Sequence, residues 1–174
     1  MFSLNPGSAA GIPGEPPDPE KDLTSPSAGK RKAAIRALGT RKREGDNTLL
    51  IQALSDASPS VRTEAATALG KRNDPESLPV LITALQDPSP EVRQAVLQAL
   101  IRIRDPRAAV PASVLLRDPD FRIRIGAIRL LGAVGNDDAI PLLTPMLSDP
   151  VSDVREEAEP ALRRIRQRER RFRC

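Results

Sequence analysis

Asp56, Asp87, Asp118 and Asp149 recur every 31 residues, and each is followed six positions later by an arginine: Arg62, Arg93, Arg124 and Arg155. Before each arginine stands a branched apolar residue (Val61, Val92, Ile123, Val154). After it come Ala65, Val96, Ala127 and Ala158, then Leu69, Leu100, Leu131 and Leu162, all in register. A period of this length marks a supersecondary unit that cannot bury its apolar face alone, so the units must stack. Each unit then touches only its neighbours, and such stacks act as extended binding surfaces. Function is therefore to be sought at positions that vary between units.

One unit shows the plan. Asp74-Pro75 starts a helix, because Asp caps the free N–H groups and Pro at the first helical position forfeits no hydrogen bond. Leu78, Leu81, Ile82 and Leu85 lie on one helical face. Asp87-Pro88-Ser89-Pro90 breaks that helix, and Val92, Val96, Ala99, Leu100 and Ile103 form the face of a second. Overlaying the units predicts outer helices near 46–55, 75–86, 106–117 and 137–148. Inner helices are expected near 28–42, 59–71, 90–103, 121–134 and 152–169. The total is nine helices and no sheet, with Ala34, Ala65, Ala127 and Ala158 small enough for close helix approach. Pro160, inside the last helix, predicts a kink or an end there, since an interior Pro costs about 3 kcal/mol. The arginines beyond it should then project away from the stack, and Pro145 should bend the last outer helix.

Residues 1–24 are rich in Pro and Gly and poor in apolar side chains, so a disordered tail is expected. The repeat region spans 25–166, and a basic Arg-rich tail covers 167–174. The net charge of +4 is concentrated at the two ends. Lys30, Arg31, Lys32, Arg36, Arg41, Lys42 and Arg43 lie at one end; Arg163, Arg164, Arg166, Arg168, Arg170, Arg171 and Arg173 lie at the other. Such asymmetry suits an anionic partner or, equally, a solvated end.

The pattern Asp-x5-Arg with Val before Arg, followed by Ala65, Ala68, Leu69 and Gly70, resembles HEAT-like repeats. It is most similar to the short type of the phycobilisome-lyase HEAT-like class. Tetratricopeptide and ankyrin repeats have similar lengths, but their signatures require Trp, Tyr or His, and the sequence has none. The resemblance implies a right-handed α-solenoid, all-α, with the Val-Arg helices lining the concave side. It also implies that Asp56, Asp87, Asp118 and Asp149 cap helices or brace turns. Arg62, Arg93, Arg124 and Arg155 would reach a neighbouring Asp or carbonyl, forming a ladder. The first unit has Ser25 in place of Asp and Lys30 in place of Val, which suits a polar end cap.

Without His there is no imidazole base and no His metal ligand. The lone Cys174 allows no intrachain disulfide, which fits a reducing, cytoplasmic setting. No run of 18 apolar residues could span a membrane, and the N-terminus lacks a signal-peptide pattern. Catalytic, metal and cofactor residues are therefore expected to be none. Deoxyhypusine hydroxylase-like HEAT proteins need His-Glu pairs, and DNA-alkylation-repeat glycosylases need aromatics beside a catalytic Asp; neither set exists here. Bilin lyases of the E/F type, which act in pairs on a bilin and a phycobiliprotein, stay open through the resemblance alone.

The expected function is a scaffold or adaptor that binds a protein partner along its inner helices. The candidate contact residues are Thr63, Thr67 and Lys71, then Gln94, Gln98 and Arg102, then Phe121, Ile125 and Arg129. The equivalent positions are Lys32, Arg36 and Thr40 in the first inner helix and Glu156, Pro160 and Arg164 in the last. Phe121 and Ile125 are apolar where neighbouring units are polar, as at an interface centre; alternatively Phe121 folds back over a core edge. The two other readings are a lyase subunit or phycobiliprotein chaperone, and weak binding of nucleic acid or an anionic surface through the basic ends.

Overall fold

The computed structural model describes residues 19–41, 43 and 45–172. The inner helices are α2 (Ala28–Thr40), α4 (Pro59–Arg72), α6 (Pro90–Ile103), α8 (Phe121–Val134) and α10 (Ser152–Phe172). Between them run the outer segments α3 (Asp46–Ala53), α5 (Leu78–Ala84), α7 (Ala109–Ser113) and α9 (Ala139–Leu143). A short α1 (Pro19–Asp22) precedes them, and among the described residues there is no strand. The nine expected helices are all present, with boundaries within a few residues. The outer ones are broken by 3-10 turns at Pro75–Ser77, Pro106–Ala108, Val114–Arg117 and Thr144–Ser148. Pro79, Pro111 and Pro145 lie in these segments and remove the N–H groups that a regular helix needs.

Inner helices start and stop by local chemistry. Pro occupies the first turn of α4 and α6, and the Ser89 hydroxyl accepts from the Val92 N–H. Asn73 and Arg104 end α4 and α6 in the left-handed conformation, at φ 53° and 57°. Each inner helix packs directly on the next, whereas the outer segments pack mainly on inner helices. The layer whose members lie closest together is the inside of a curved stack, so the architecture is an α-solenoid. One continuous apolar strip from Ile35 to Ile165 forms the core.

The alanines expected to allow close approach, Ala34, Ala65, Ala127 and Ala158, are buried, and close helix approaches occur at glycines as well. A Cβ at Gly39 would lie 2.8 Å from Ala68 Cβ; at Gly70, 2.6 Å from Ala99 Cα; at Gly132, 2.8 Å from Ala161 Cβ. The equivalent residue of α6 is Ile101, which is half-buried against the core. The close contact moves instead to Gly126, where a Cβ would meet Leu97 Cδ1 at 2.9 Å.

Arginine–aspartate pairs join the units. Arg62 donates from Nε (2.7 Å) and Nη2 (2.8 Å) to the Asp87 carboxylate of the next unit. Its Nη1 donates to the Asp56 and Ala57 carbonyls of its own turn. Arg31–Asp56, Arg93–Asp118 and Arg124–Asp149 repeat this geometry, with pair side chains between 4% and 15% exposed across the four joints. Each carboxylate also accepts the N–H two residues on (Ser58, Ser89, Asp120, Val151), which braces the turn that leads into the next inner helix. Hydrogen bonds from Arg31 and Arg124 hold Asp56 and Asp149 below the ordinary carboxylate range. At Asp87 burial pushes upward, but the Arg62 hydrogen bond and the Ser89 N–H outweigh it.

The ends differ from expectation. Residues 1–18 of the tail expected over 1–24 lie outside the described residues; Pro19–Asp22 are helical and Leu23 packs against the core. Arg41 bridges Glu20 (2.6 Å) and the buried Asp46 (2.9 Å), fastening α1 to the stack. At the other end α10 runs unbroken through Pro160 to Phe172, so the stretch from 167 begins as helix, not tail. Packing explains this: Ala161, Leu162 and Ile165 lie in the core beyond the proline. Arg168 donates to the Gly132 and Ala133 carbonyls at the end of α8, which holds the last turns against the stack. Several arginines of the basic ends are thus structural. Lys42 and Arg173 lie outside the described residues.

Two outcomes are expected. Gly70→Val should cost about 1–3 kcal/mol in urea unfolding, because the new side chain meets backbone. Gly29→Ala, whose Cβ would meet only Ser27 Oγ at 3.6 Å, should be neutral or slightly stabilising. A carboxylate whose value is lower folded than unfolded contributes fully above about pH 3.9, the unfolded value, and loses that contribution as pH falls from there through its lower folded value. The melting temperature should therefore be nearly flat from about pH 7 to 5 and drop below about pH 4. A calorimetric profile with no acid-side drop would contradict this account of Asp56, Asp87 and Asp149.

Candidate functional site

The exposed faces of α4, α6 and α8 carry the nine residues expected to vary. Thr63, Thr67 and Ile125 are half-buried; Lys71, Gln94, Gln98, Arg102, Phe121 and Arg129 are exposed. The Thr63 and Thr67 hydroxyls donate to the Pro59 and Thr63 carbonyls of their own helix, so each keeps acceptor capacity outward. Phe121 occupies the first helical position, where α4 and α6 have Pro59 and Pro90. It is 38% exposed and stays outside the core cluster, whereas Ile125 packs against that cluster.

Arg129 is not free. It pairs with Glu157 of α10 at 2.8 Å, and Arg36 of α2 pairs with Glu64 of α4 at 3.0 Å. These two pairs share one register, a residue and the one 28 positions on. Between the central helices that register holds Thr67 with Ala95 and Gln98 with Gly126, so no ion pair can form there. The face is therefore tied by ion pairs at its two ends, while its central helices carry Thr67, Gln94 and Gln98, with the exposed cations Lys71 and Arg102 toward their C-terminal ends. No period announces these pairs, and only a search for opposite charges 28 residues apart would have found them. Hydrogen bonding from Arg36 lowers the Glu64 carboxyl, which keeps that pair ionised at neutral pH.

On the opposite side, Val110, Val114, Leu142 and Leu147 are exposed apolar residues. A shallow groove runs between the outer segments, lined by Val114, Leu116, Pro141, Leu142, Pro145 and Met146. Leu116 and Leu147 share the packing register of Leu85, but Val110, Val114 and Leu142 fall outside the registers of Leu78, Leu81, Ile82 and Leu85, and sequence reasoning that compared only the inner helices passed over them. Among the described residues no group of three His, Cys, Asp or Glu could hold a metal ion. Among the same residues no helix is long and apolar enough to cross a membrane.

Comparison with known proteins follows the repeat. The HEAT-repeat family matches at residues 20–86, 47–112 and 79–163. A chain from the structure of the CpcE–CpcF complex of phycocyanin lyase from Nostoc sp. PCC7120 is 30% identical, with TM-score 0.76. That alignment covers 95% of this chain and 71% of the other. A designed armadillo repeat protein in complex with the peptide (KR)4 shares the fold at 22% identity and TM-score 0.68, over 84% of this chain and 80% of that one. An engineered protein matches at 24% identity and TM-score 0.65, over 86% and 78%. No curated protein gives a significant match.

The two kinds of ion pair should respond differently to mutation. Arg129 is 51% exposed in its pair with Glu157, so Arg129→Gln should cost less than about 1 kcal/mol in chemical unfolding. Arg124→Gln leaves Asp149, 6% exposed, without its partner and should cost about 3–5 kcal/mol. Equal costs would undo the distinction between joint and surface.

Proposed function

The chain belongs to the HEAT-repeat family, in its phycobilisome-lyase HEAT-like class, and from that premise we propose that it is a scaffold that binds a protein partner along its inner helices. One observation carries the reading: ion pairs bound the inner face at both ends, and between them stand the uncharged Thr67, Gln94, Gln98 and Phe121, with Lys71 and Arg102 along one edge. Gln94 and Gln98 offer donors and acceptors, and Phe121 offers an exposed ring beside them. A rigid aromatic next to adaptable amides suits the centre of a protein interface. The surrounding helices are held by joints that do not use these side chains, so the face can be specialised without loss of the fold. The reading is non-catalytic, with no cofactor, and it places the chain in an assembly in which the partner supplies the other half of the surface.

A second reading is a subunit of a bilin lyase, or a chaperone of a phycobiliprotein. The 30% identity over 95% of the chain with a component of the phycocyanin lyase complex favours it. Both readings use the same inner face. They part on whether a bilin is handled.

The test begins with partners recovered from the native cell, identified by mass spectrometry and then purified. Rebinding to Phe121→Ala combined with Gln98→Arg should weaken about tenfold, with unfolding unchanged. Unchanged affinity would remove this face from the interface. Incubation with bilin and apo-phycobiliprotein, alone and with a partner subunit, decides the second reading: no change in the bilin spectrum in any combination argues against it.

A further inference from the structure

Cations on the inner face outnumber the carboxylates that answer them over α2, α4 and α6. Arg36 of α2 grips both oxygens of Glu64 on α4, from Nε at 3.1 Å and Nη2 at 3.0 Å. That hydrogen bonding lowers the Glu64 carboxyl against the cost of burial, and the charges of Lys32 and Lys71 lower it further. Glu64 therefore stands within electrostatic reach of three cations and is saturated by one of them. Lys32 and Lys71 are left without a hydrogen-bonded partner among the described residues, Lys32 half-buried and Lys71 exposed.

Arg102 repeats the position of Lys71 one unit on, and no carboxylate of the face answers it. Where α4 has Glu64, α6 has Ala95 and α8 has Gly126. The aspartates of the nearby turns are committed elsewhere. Asp74 accepts from the Glu76 N–H and the Asn47 amide, and both Asp105 oxygens are held by Arg107. Glu91 accepts from the Ser89 hydroxyl at the far end of α6. Lys71 and Arg102 are thus exposed cations in one register on neighbouring helices. Packed helices lie about 8–10 Å apart, and Gly70 against Ala99 brings these two close. A polyproline II chain has three residues per turn and rises about 3.1 Å per residue, so every third side chain returns to one face after about 9 Å. Carboxylates three residues apart on such a segment match the spacing of the two cations.

The excess does not continue along the face. The register of Lys32 runs through Thr63, Gln94 and Ile125 to the exposed Glu156 of α10, and Arg122 and Arg129 of α8 are bound to Asp120 and Glu157. We propose that the protein partner presents an acidic, extended segment to α2, α4 and α6, with carboxylates at every third residue meeting Lys71 and Arg102. Lys32 and Arg36 supply longer-range attraction. Gln94 and Gln98 lie beside the two cations and can donate to or accept from the backbone of the segment, which in this conformation makes no internal hydrogen bonds. The proposal rests on the inner-face reading above and adds the chemistry that the face selects. A nucleic-acid strand suits it less, because α2, α4 and α6 offer no aromatic ring for a base to stack on.

The probe is a fluorescein-labelled peptide of about four Glu-Pro-Pro repeats, titrated into the full chain by anisotropy at low and moderate salt. Lys71→Gln combined with Arg102→Gln should weaken binding about tenfold at low salt, with urea unfolding unchanged because both side chains are exposed. Arg117→Gln combined with Arg166→Gln removes the same charge from exposed sites elsewhere and should stay within about twofold of wild type. A peptide of the same composition with its glutamates in one block should bind about threefold more weakly. Equal weakening by the two double variants, or a block peptide bound as tightly, would overturn the proposal. So would a single-stranded oligonucleotide of equal charge that binds more tightly and depends on Lys71 and Arg102, since the face would then select phosphate. The purified partner separates this inference from the reading beneath it. Weakening by Phe121→Ala with Gln98→Arg but not by Lys71→Gln with Arg102→Gln removes the acidic segment and leaves the inner-face interface standing; weakening by neither removes both.

Discussion

Everything in the stack depends on a carboxylate and a guanidinium being brought together from different units at low exposure. A charge taken out of water is costly unless its partner and hydrogen bonds are all in place. Each joint meets that demand in full: the aspartate accepts two bonds from the arginine of the preceding unit and one from its own turn. The arginine spends its remaining donor on two carbonyls of its own turn. The result couples two neighbouring turns in one geometry. A shift of one unit against the next would leave a nearly dry ion unpaired, which is why the spacing stays at 31 residues while the helices between drift in sequence.

Apolar packing then adjusts helix by helix within that frame. Gly39, Gly70 and Gly132 let three inner-helix contacts close tightly on alanines, whereas the fourth has Ile101 at that position and places Gly126 against the Leu97 side chain. The solenoid is therefore regular at its turns and irregular along its helices. The change falls between α6 and α8, the helices that carry Gln94, Gln98, Phe121 and Ile125. Local variation in packing and the most distinctive surface residues share one place because neither touches the joints.

This division also explains what could be read from the sequence. Helix boundaries and the Asp and Arg positions follow from periodicity, caps and prolines, which are local, and repetition reports each several times. Pro160 misleads because its cost of about 3 kcal/mol is a local quantity, outweighed by the burial of Ala161, Leu162 and Ile165 and by the Arg168 contacts to α8. The Arg36–Glu64 and Arg129–Glu157 pairs escape because they occur at only two of the possible levels, so no period announces them. The same pairing turns Arg129 from a free contact residue into one border of the face.

The two ends close in different ways. At the start, α1 covers α2, Glu20 and Asp46 neutralise Arg41, and Arg72 donates to the Leu38 and Arg41 carbonyls. Apolar contact and charge are both satisfied there. At α10 only the apolar side is settled, because Glu159 and Arg163 replace the residues that would receive another helix. The ladder arginine is nevertheless retained and held in its working orientation by two carbonyls. Those bonds brace the turn at Asp149 that leads into α10.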